Sequence, residues 1–436
     1  MEFVYSSCRF LVLLAVAIIT FKLHFVVGTE FYVKSPSDSP CPVKKCLSLS
    51  QLSIKSVLDS LNQQNTTLYF LPGDYKLKSE IAITNASNFS MFSRTNKVSI
   101  FCHQNASFKF KGIERLALKG LKFFGCGNNK IKSVKTFSLE QVSFFGENES
   151  ETALEIDKTK AYFMDTSFIR NTVGSLRGPI RILHDHRYPY AYTGGAIIAY
   201  QSNITIVRSH FFGNRAEIGG AIFATCGSNI TILNSSFIGN RASNNYCTNI
   251  SQICFGGVLY TENSCLGIQE APPSTIVNES EFSNNTATSG AVLATVSCST
   301  VISKSEFHDN TANNCGGVFW LQGNSTIIVY DSDVYSNKAI QGGGVVYLTD
   351  TSSIIINASR VYDNNYLEAE FGGVIHLQSN DEYFVGLYNS TFYNNAAQIG
   401  GVISKLDDDT AAGMYNNIMA AQFTHATSSL KASTPL

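Results

Sequence analysis

One segment of the sequence concentrates side chains that could bind a ligand. Residues 177–192 hold three arginines, two histidines and three tyrosines, in a chain of which only 15% is charged. Tyrosine can stack on a sugar face, and the arginine guanidinium binds carboxylate or sulfate through two parallel hydrogen bonds. We therefore predict a loop that binds an acidic glycan or a protein partner through Arg177, Arg181, His184, His186, Arg187, Tyr188, Tyr190 and Tyr192.

The two histidines of this segment also raise the question of a metal site. His184 and His186 flank Asp185, but no further ligand stands nearby, whereas a structural zinc site uses four. The competing interpretation of the whole segment is a solvated loop without a ligand. We expect no metal and no cofactor.

Composition narrows the class of partner. The 32 Lys+Arg and 33 Asp+Glu give a formal net charge of −1. Nucleic acids and anionic membrane surfaces both attract a basic excess, which this chain lacks. Hydrophobic residues make up 44%, so the composition also argues against disorder, which goes with low hydrophobicity and high net charge.

The N-terminus predicts export. Arg9 precedes the apolar run 10–21, and Val26 and Gly28 suit the −3 and −1 positions of a cleavage site. A run of this length matches a signal peptide, whereas a spanning helix needs about 20 residues. We predict a signal peptide over 1–28 with no transmembrane segment after cleavage, and an extracellular or cell-surface location. An uncleaved signal anchor is the alternative.

Glycosylation sequons agree with export. Asn-x-Ser/Thr sites are surface features of secreted proteins, although an Asn/Ser/Thr-rich repeat also raises their number. The sites are Asn65, Asn85, Asn88, Asn105, Asn148, Asn203, Asn229, Asn234, Asn249, Asn278, Asn284, Asn324, Asn357 and Asn389.

Two short motifs recur and alternate along the chain. The first is Ser/Thr-x-Phe-x-x-Asn, with its Phe at 168, 211, 237, 282, 307 and 392 and a Val in that slot at 334 and 361. The second is Gly-Gly followed by apolar residues, at 194, 219, 256, 316, 343, 372 and 400, with Ser289-Gly290 as a degenerate copy. The step from the second glycine to the next Phe or Val is mostly 16 or 17 residues.

The repeat predicts the fold. Short β-branched runs such as 204–207 and 230–233 lie between the motifs, as expected of strands. A period near 25 residues with two or three strands indicates one coil of a parallel β-helix, whereas propeller blades repeat near 40–45 residues. Stacked coils lie about 4.8 Å apart, so Phe should form an internal stack, Asn an amide ladder, and the glycine pairs close corners.

The two motifs together resemble a known family. Phe211-Phe212-Gly213-Asn214 followed by Gly219-Gly220-Ala221-Ile222 resembles the repeat of the polymorphic outer-membrane protein (Pmp) family over roughly residues 165–403. The resemblance implies a right-handed, pectin-lyase-like parallel β-helix displayed outside cells, with roles in adhesion. Bacterial members end in a membrane β-barrel, and this sequence shows none, so their anchoring does not carry over.

The predicted fold class is thus all-β, a right-handed single-stranded parallel β-helix (solenoid) with a small N-terminal cap. We assign 29–64 to the cap, 65–405 to the β-helix and 406–436 to a polar C-terminal tail. Because that tail shows no further repeat and no cap, we expect a truncated or alternatively spliced chain.

The repeat register also predicts disulfides. Cys8 lies in the signal peptide, which leaves ten of the 11 cysteines, and an even number in an exported protein indicates disulfides. Cysteines one coil apart should stack within bonding distance. We pair Cys41–Cys46, Cys102–Cys126 and Cys265–Cys298, and leave the connectivity of Cys226, Cys247, Cys254 and Cys315 open.

The predicted function depends on which catalytic motifs of pectin-lyase-like enzymes the sequence lacks. Hydrolases of the pectin-lyase-like fold share Asn-Thr-Asp, Asp-Asp and Gly-His-Gly signatures; here the one Asp-Asp run lies in the tail, at 407–409. Asp331, Asp333 and Asp350 approach the carboxylate cluster of a lyase, but surface turns explain them equally well. The sequence therefore favours a non-catalytic adhesion or recognition module that binds extracellular glycans or proteins. A polysaccharide lyase or glycoside hydrolase is the alternative, and a structural spacer is a third.

Overall fold

The computed structural model describes residues 29–34, 46–49, 52, 58–59, 61, 65–103, 106–146, 152–173, 193–243, 254–263, 274–365, 370–378, 383–405, 411–415 and 418–420. All strand pairings recorded within these residues are parallel, and successive coils stack into long sheets. The predicted fold class, an all-β right-handed parallel β-helix, is confirmed.

Three long sheets and one short sheet form the solenoid within the described residues. Sheet A contains Thr29–Lys34, Cys46–Ser48, Thr66–Phe70, Asn88–Ser93, Arg115–Lys119, Thr136–Glu140, Lys160–Met164, Asn203–Val207, Asn229–Leu233, Ser274–Asn278, Ser299–Ser303, Thr326–Tyr330, Ser353–Asn357, Phe384–Tyr388 and Ala411–Tyr415. Sheet B contains Gly73–Leu77, Val98–Cys102, Leu121–Phe124, Ser143–Phe145, Ser167–Ile169, His210–Phe212, Ser236–Ile238, Glu281–Ser283, Glu306–His308, Asp333–Tyr335, Arg360–Tyr362, Thr391–Tyr393 and Ile418–Ala420.

The other two sheets complete each coil. Sheet C contains Ile81–Thr84, Phe108–Lys111, Asn129–Lys132, Leu154–Asp157, Ile197–Tyr200, Ile222–Thr225, Leu259–Glu262, Leu293–Val296, Phe319–Gln322, Val346–Leu348, Ile375–Leu377 and Ile403–Lys405. Sheet D is short and contains Arg215–Ala216, Arg241–Ala242, Thr286–Ser289, Thr311–Cys315 and Lys338–Ala339.

Alternation along each strand fills the interior of the solenoid. In the sheet A strand Asn229–Leu233, Ile230 and Ile232 are fully buried while their neighbours point outward. In the three-residue sheet B strands the middle residue points inward, as Phe237 does in Ser236–Ile238. One continuous apolar core results, and it extends along the described solenoid.

The predicted aromatic stack occupies this core. Phe123, Phe144, Phe168, Phe211, Phe237, Phe282 and Phe307 stack in that order, with centroids of successive rings 4.6–5.2 Å apart and planes within 18° of parallel. Each ring meets the same residue type above and below because strand pairing places every copy at the same point of its coil. The stack continues with Val334 and Val361 in the same slot.

The predicted asparagine ladder is also present, and it satisfies the turn after sheet B. The Oδ1 atom of Asn310 accepts hydrogen bonds from the backbone N–H and the Nδ2 of Asn285, both at 3.0 Å. The Nδ2 of Asn310 donates to the carbonyl oxygen of Phe282 and to Oδ1 of Asn337, both at 2.9 Å. The same pattern links Asn171, Asn214, Asn240, Asn285, Asn310, Asn337, Asn364 and Asn395.

A second ladder lies between sheets A and B, at the Ser/Thr of the first motif. The hydroxyl oxygen of Ser305 accepts from the backbone N–H of Ser280 at 3.2 Å and donates to the carbonyl oxygen of Ser303 at 2.7 Å. The ladder runs through Thr166, Ser209, Ser235, Ser280, Ser305, Ser332, Ser359 and Ser390. Each sheet B strand is therefore held by a hydroxyl ladder before it and an amide ladder after it.

The glycine pairs behave as predicted at the corner before sheet C. Gly219 has φ +63°, and a Cβ at Gly220 would collide with the carbonyl oxygen of Gly257 in the next coil. The degenerate copy of the glycine motif lies one residue later than the sequence pattern predicted. Leu293 pairs with Leu259, so Gly290-Ala291 rather than Ser289-Gly290 stands opposite Gly256-Gly257.

The sheets extend beyond the predicted limits of the solenoid. Thr29–Lys34 lies within the predicted cap, yet it pairs with Thr66–Phe70 as part of sheet A. Ala411–Tyr415 and Ile418–Ala420 lie within the predicted polar tail and pair with the preceding coil. Backbone pairing does not require the motif side chains, which explains why motif counting did not reach these strands.

The cysteine predictions have mixed outcomes. Cys102–Cys126 is a disulfide with Cα atoms 5.0 Å apart, as predicted. Cys298 is a buried free thiol, so its predicted bond to Cys265 was wrong. The reason is the register: Leu259 and Leu293 pair at an offset of 34 residues, whereas the predicted bond needs 33. Cys315 is also free and buried, while Cys46, Cys226 and Cys254 are disulfide-bonded; Cys41, Cys247 and Cys265 lie outside the described residues.

A smaller apolar cluster covers part of the outer face of sheet C. It contains Tyr260, Trp320 and Tyr347, packed with buried Cys315. Beside it, His376 is 4% exposed and stacks against Phe371 with ring centroids 5.3 Å apart. Its Nδ1 lies 2.8 Å from the hydroxyl oxygen of Ser404. This face is closed to solvent along these coils.

The asparagine ladder should dominate local stability. In Asn310→Ala, the carbonyl of Phe282 and the N–H of Asn285 lose buried partners, which costs on the order of 2–5 kcal/mol. Asn203→Ala, on the exposed outer face of sheet A, should change the free energy of unfolding by less than about 0.5 kcal/mol. Urea unfolding of both variants measures the difference, and equal stabilities would contradict a structural ladder.

Buried His376 should make stability depend on pH. Burial lowers its pKa from 6.5 to about 4, so the unfolded chain binds this proton more readily. The contribution of His376 is complete above pH 6.5 and decreases as the pH falls towards 4, by up to about 3 kcal/mol. Unfolding of His376→Gln at both pH values should lack this decrease, whereas His103→Gln, exposed in the structure, should keep it.

Candidate functional site

The predicted ligand-binding loop lies outside the described residues. Arg177, Arg181, His184, His186, Arg187, Tyr188, Tyr190 and Tyr192 all fall in 174–192. Their role therefore stays a prediction, and the structure directs attention to the outer faces of the sheets.

Sheet B presents two outward columns of side chains. The first and third residues of each short strand flank the buried one, so they point outward. In five successive coils, Glu281–Ser283 to Thr391–Tyr393, these columns carry acids, a histidine and tyrosines. We call this surface the sheet B face. The hydroxyl ladder before each sheet B strand and the amide ladder after it fix the position of that strand within its coil.

Three carboxylates occupy consecutive positions of the first column. Glu281 pairs with Glu306, and Glu306 pairs with Asp333. Like charges on neighbouring rungs destabilise a sheet unless they find partners. Here the next coil supplies a different partner to each carboxylate, respectively His308, Tyr335 and Arg360.

His308 lies between two carboxylates. Its Nδ1 is 2.8 Å from Oδ2 of Asp309, and its Nε2 is 3.4 Å from Oε1 of Glu281. Ser283 donates to the same Glu281 oxygen at 3.2 Å. In the tautomer whose Nδ1–H donates to Asp309, Nε2 is the ring nitrogen that faces the carboxylate of Glu281.

The hydroxyl group of Tyr335 donates a hydrogen bond to the carboxylate of Glu306. Burial, this hydrogen bond and the Glu306 charge all raise the pKa of Tyr335. The phenol therefore stays protonated at neutral pH.

The aromatic rings of the second column stack on each other. His308, Tyr335, Tyr362 and Tyr393 follow in successive coils, with ring centroids 4.8–5.0 Å apart and planes within 8° of parallel. Their faces cover one another, so the column presents ring edges to solvent. Hydrogen bonding, more than face stacking, is what this column offers a ligand.

Arg360 and Asp333 form a two-bond ion pair at the same face. The Nε of Arg360 donates to Oδ1 of Asp333 at 2.7 Å, and a second guanidinium nitrogen donates to Oδ2. This pair raises the pKa of Arg360. Its fork is engaged, so Arg360 is not a free cation for an anionic ligand.

A shallow pocket continues the sheet B face towards the N-terminus. It has a volume of about 280 Å³, and Ser167, Ile169, His210, Phe211, Phe212, Ser236 and Ile238 line it. Phe212 is 45% exposed there. The pocket and the carboxylate column thus belong to neighbouring coils of one surface.

Asp331, Asp333 and Asp350, which approach a lyase-type carboxylate cluster in the sequence, lie apart in the structure. Asp333 lies on the sheet B face, whereas Asp331 and Asp350 occupy turns with φ of 52° and 51°. The residues on either side of each Phe or Val slot were not predicted as site residues, although the alternation of side chains along a strand points both of them outward. Within the described residues, no group of three or more metal-ligating side chains occurs. Nor does any helix described there have the length and apolarity needed to cross a membrane.

No protein-family model matches the sequence, and no curated protein matches it. Among solved structures, a periplasmic alginate epimerase is similar at TM-score 0.42 and 11% identity, over 74% of this chain and 77% of that one. The catalytic domain of a GH87 α-1,3-glucanase is similar at TM-score 0.47 and 9% identity, over 80% and 64%. An Azotobacter vinelandii mannuronan C-5 epimerase module is similar at TM-score 0.35 and 12% identity, over 86% and 96%.

These comparisons correct the predicted function. The prediction of a non-catalytic adhesion or recognition module was wrong, as was the prediction that the protein is not an enzyme, because these solved structures are by name enzymes. At 9–12% identity the likeness concerns the fold. The kind of reaction must therefore be argued from the residues of the sheet B face.

Proposed function

We propose that this protein is a glycoside hydrolase acting on a neutral polysaccharide, with its acid–base centre on the sheet B face. The observation that carries the proposal is the pair Glu281 and Glu306, on neighbouring rungs with different partners. Glycosidases use two carboxyl groups in different protonation states, and different surroundings are what separates those states.

The partners suggest the role of each carboxylate. Glu306 accepts a hydrogen bond from the hydroxyl of Tyr335, which fixes the orientation of this carboxylate, and we assign it the role of nucleophile. Glu281 faces Nε2 of His308, and we assign Glu281 the role of general acid and base. It donates a proton to the leaving-group oxygen in the first step and accepts a proton from the attacking water in the second. Neighbouring rungs lie ~4.8 Å apart, close to the ~5–5.5 Å between carboxyl groups of retaining enzymes. Carboxyl groups that keep this backbone spacing would retain the anomeric configuration.

Charge favours hydrolysis of a neutral glycan over elimination from a uronate. Glu281, Glu306, Asp309 and Asp333 crowd the site, and the guanidinium of Arg360 is bound to Asp333. An acidic polysaccharide would be repelled, since like charges at close range cost free energy. Elimination also needs the substrate carboxylate neutralised, and no unpaired cation of the sheet B face is placed to do so.

The aromatic column suggests how the glycan is seated. Tyr362 and Tyr393 follow the carboxylates in the next coils, and their stacked rings leave the edges accessible. Hydroxyl groups along these edges could hydrogen-bond sugar hydroxyls of successive residues. The glycan would then run parallel to the solenoid axis.

The finer sequence predictions belong to this proposal. We retain the signal peptide over 1–28, N-glycosylation and an extracellular or cell-surface location. We also retain the division into 29–64, 65–405 and 406–436, with strands of the solenoid entering both end segments. The Cys102–Cys126 disulfide supports export, because disulfides persist in oxidising compartments. The surface position of the described sequons supports export as well. The likeness to Pmp repeats stays a resemblance of motifs. The 177–192 segment stays a predicted ligand-binding loop.

Substitution of the two carboxylates tests the proposal. Glu281→Gln and Glu306→Gln should each lower the release of reducing sugar from neutral polysaccharides by about 10²–10⁴-fold. Glu140→Gln removes a carboxylate of sheet A that pairs with Lys119 and should leave the rate unchanged. The assay uses a panel of neutral and acidic polysaccharides, with NMR of the first-formed anomer.

Two results would overturn the proposal. Unsaturated products from acidic polysaccharides would assign elimination instead of hydrolysis. Hydrolysis that survives in both glutamine variants would place the reaction elsewhere on the solenoid.

A further inference from the structure

We propose that the outer face of sheet A from Asn203–Val207 to Phe384–Tyr388 is a glycan-covered face, whose N-linked glycans prevent this uncharged β surface from associating with another copy of the chain. The inference rests on export to a glycosylating compartment and is independent of the enzyme activity. Its evidence is the distribution of sequons and charges around the solenoid.

The sequons concentrate on one sheet. Of the eleven sequon asparagines in the described residues, only Asn284 follows a sheet B strand. The other ten lie in sheet A strands or within three residues of them: Asn65, Asn85, Asn88, Asn203, Asn229, Asn234, Asn278, Asn324, Asn357 and Asn389.

These asparagines are accessible. None of the eleven is buried. Asn203 begins a strand whose Ile204 and Ile206 point inward, so its own side chain points outward. Asn234 and Asn389 lie in the turn towards sheet B with φ of 47° and 48°. A glycan at any of these positions would extend from the sheet or its border without entering the core.

Most sequons of this face border its uncharged part. Arg115, Lys119, Glu140 and Lys160 lie on the three strands from Arg115–Lys119 to Lys160–Met164, and none of these strands contains a sequon. The nearest sequon asparagines are on the flanking strands, where Asn88 pairs with Arg115 and Asn203 pairs with Lys160. The eight later strands carry no charged residue. Seven sequons border that uncharged part, from Asn203 to Asn389.

The uncharged part is also apolar at its centre. Ile276, Val301, Ile328 and Ile355 follow one another in register along the middle outward column. Ile276 is 36% exposed and Phe384 is 43% exposed at its side. A flat strip of β-branched residues on parallel strands is a surface on which a second such strip packs readily.

Net charge cannot keep these strips apart. The chain has a formal net charge of −1, so charge repulsion between copies is weak. Glycans along both borders of the strip would keep two faces too far apart to pack. The occupant of this face is therefore the chain's own carbohydrate.

Trimming of the folded glycoprotein tests the inference without disturbing its folding. Full-length protein secreted from a glycosylating host is digested with an endoglycosidase that leaves one sugar per site, and its molar mass is followed by light scattering. We expect a monomer before trimming and dimers or larger species after it. Trimmed Ile276→Lys/Ile328→Lys protein should stay monomeric, because two charges then lie on the strip.

Matched sequon variants identify the face. Asn278→Gln/Asn357→Gln protein should associate after secretion, whereas Asn284→Gln protein, which loses a site beside sheet B, should not. Peptide mapping that finds the sheet A sequons unoccupied would overturn the inference, as would trimmed protein that remains monomeric. Hydrolase activity is measured on the same samples, so loss of the proposed function would be seen separately.

Discussion

The structure depends on hydrogen bonding between neighbouring coils, completed at the turns by side chains. Parallel pairing satisfies the backbone within each sheet, but the chain must turn between sheets A, B and D, where strand pairing is interrupted. Ser305 and Asn310 stand at these two turns, and each accepts the backbone N–H of the same position one coil earlier. Buried N–H groups left unpaired at every coil would cost more than a domain's net stability. The two ladders remove that cost coil by coil.

The ladders explain why sheet B can carry chemistry. Between them each strand has three residues, of which only the middle one enters the core. The outward residues are free to vary, as Glu281 and Arg360 show, while their spacing is fixed by backbone pairing. A surface with rigid spacing and variable side chains is what an acid–base site needs, since catalytic groups must hold their geometry.

Much of the fold could be predicted from the sequence because the residues that build it repeat. Phe237 and Asn240 occupy slots that recur in successive coils, and their roles as stack and ladder are confirmed. The error at Cys298 arose where Ala291 replaces the second glycine, since a one-residue misalignment moves every later position. The sheet B site could not be predicted in this way. Glu281 and His308 come together through pairing across coils of different length, and neither belongs to a motif.

The corner after the asparagine ladder has a consequence for how such a chain can evolve. Coil lengths differ most between the asparagine and the following glycine pair, yet Phe211, Phe237 and Phe282 still pair in register. Length changes are thus absorbed at one corner, and the neighbouring rungs keep their places. Loops there can lengthen or shorten over generations while the proposed acid–base rungs of sheet B keep their positions. Substrate preference and catalytic chemistry can then diversify separately along one solenoid.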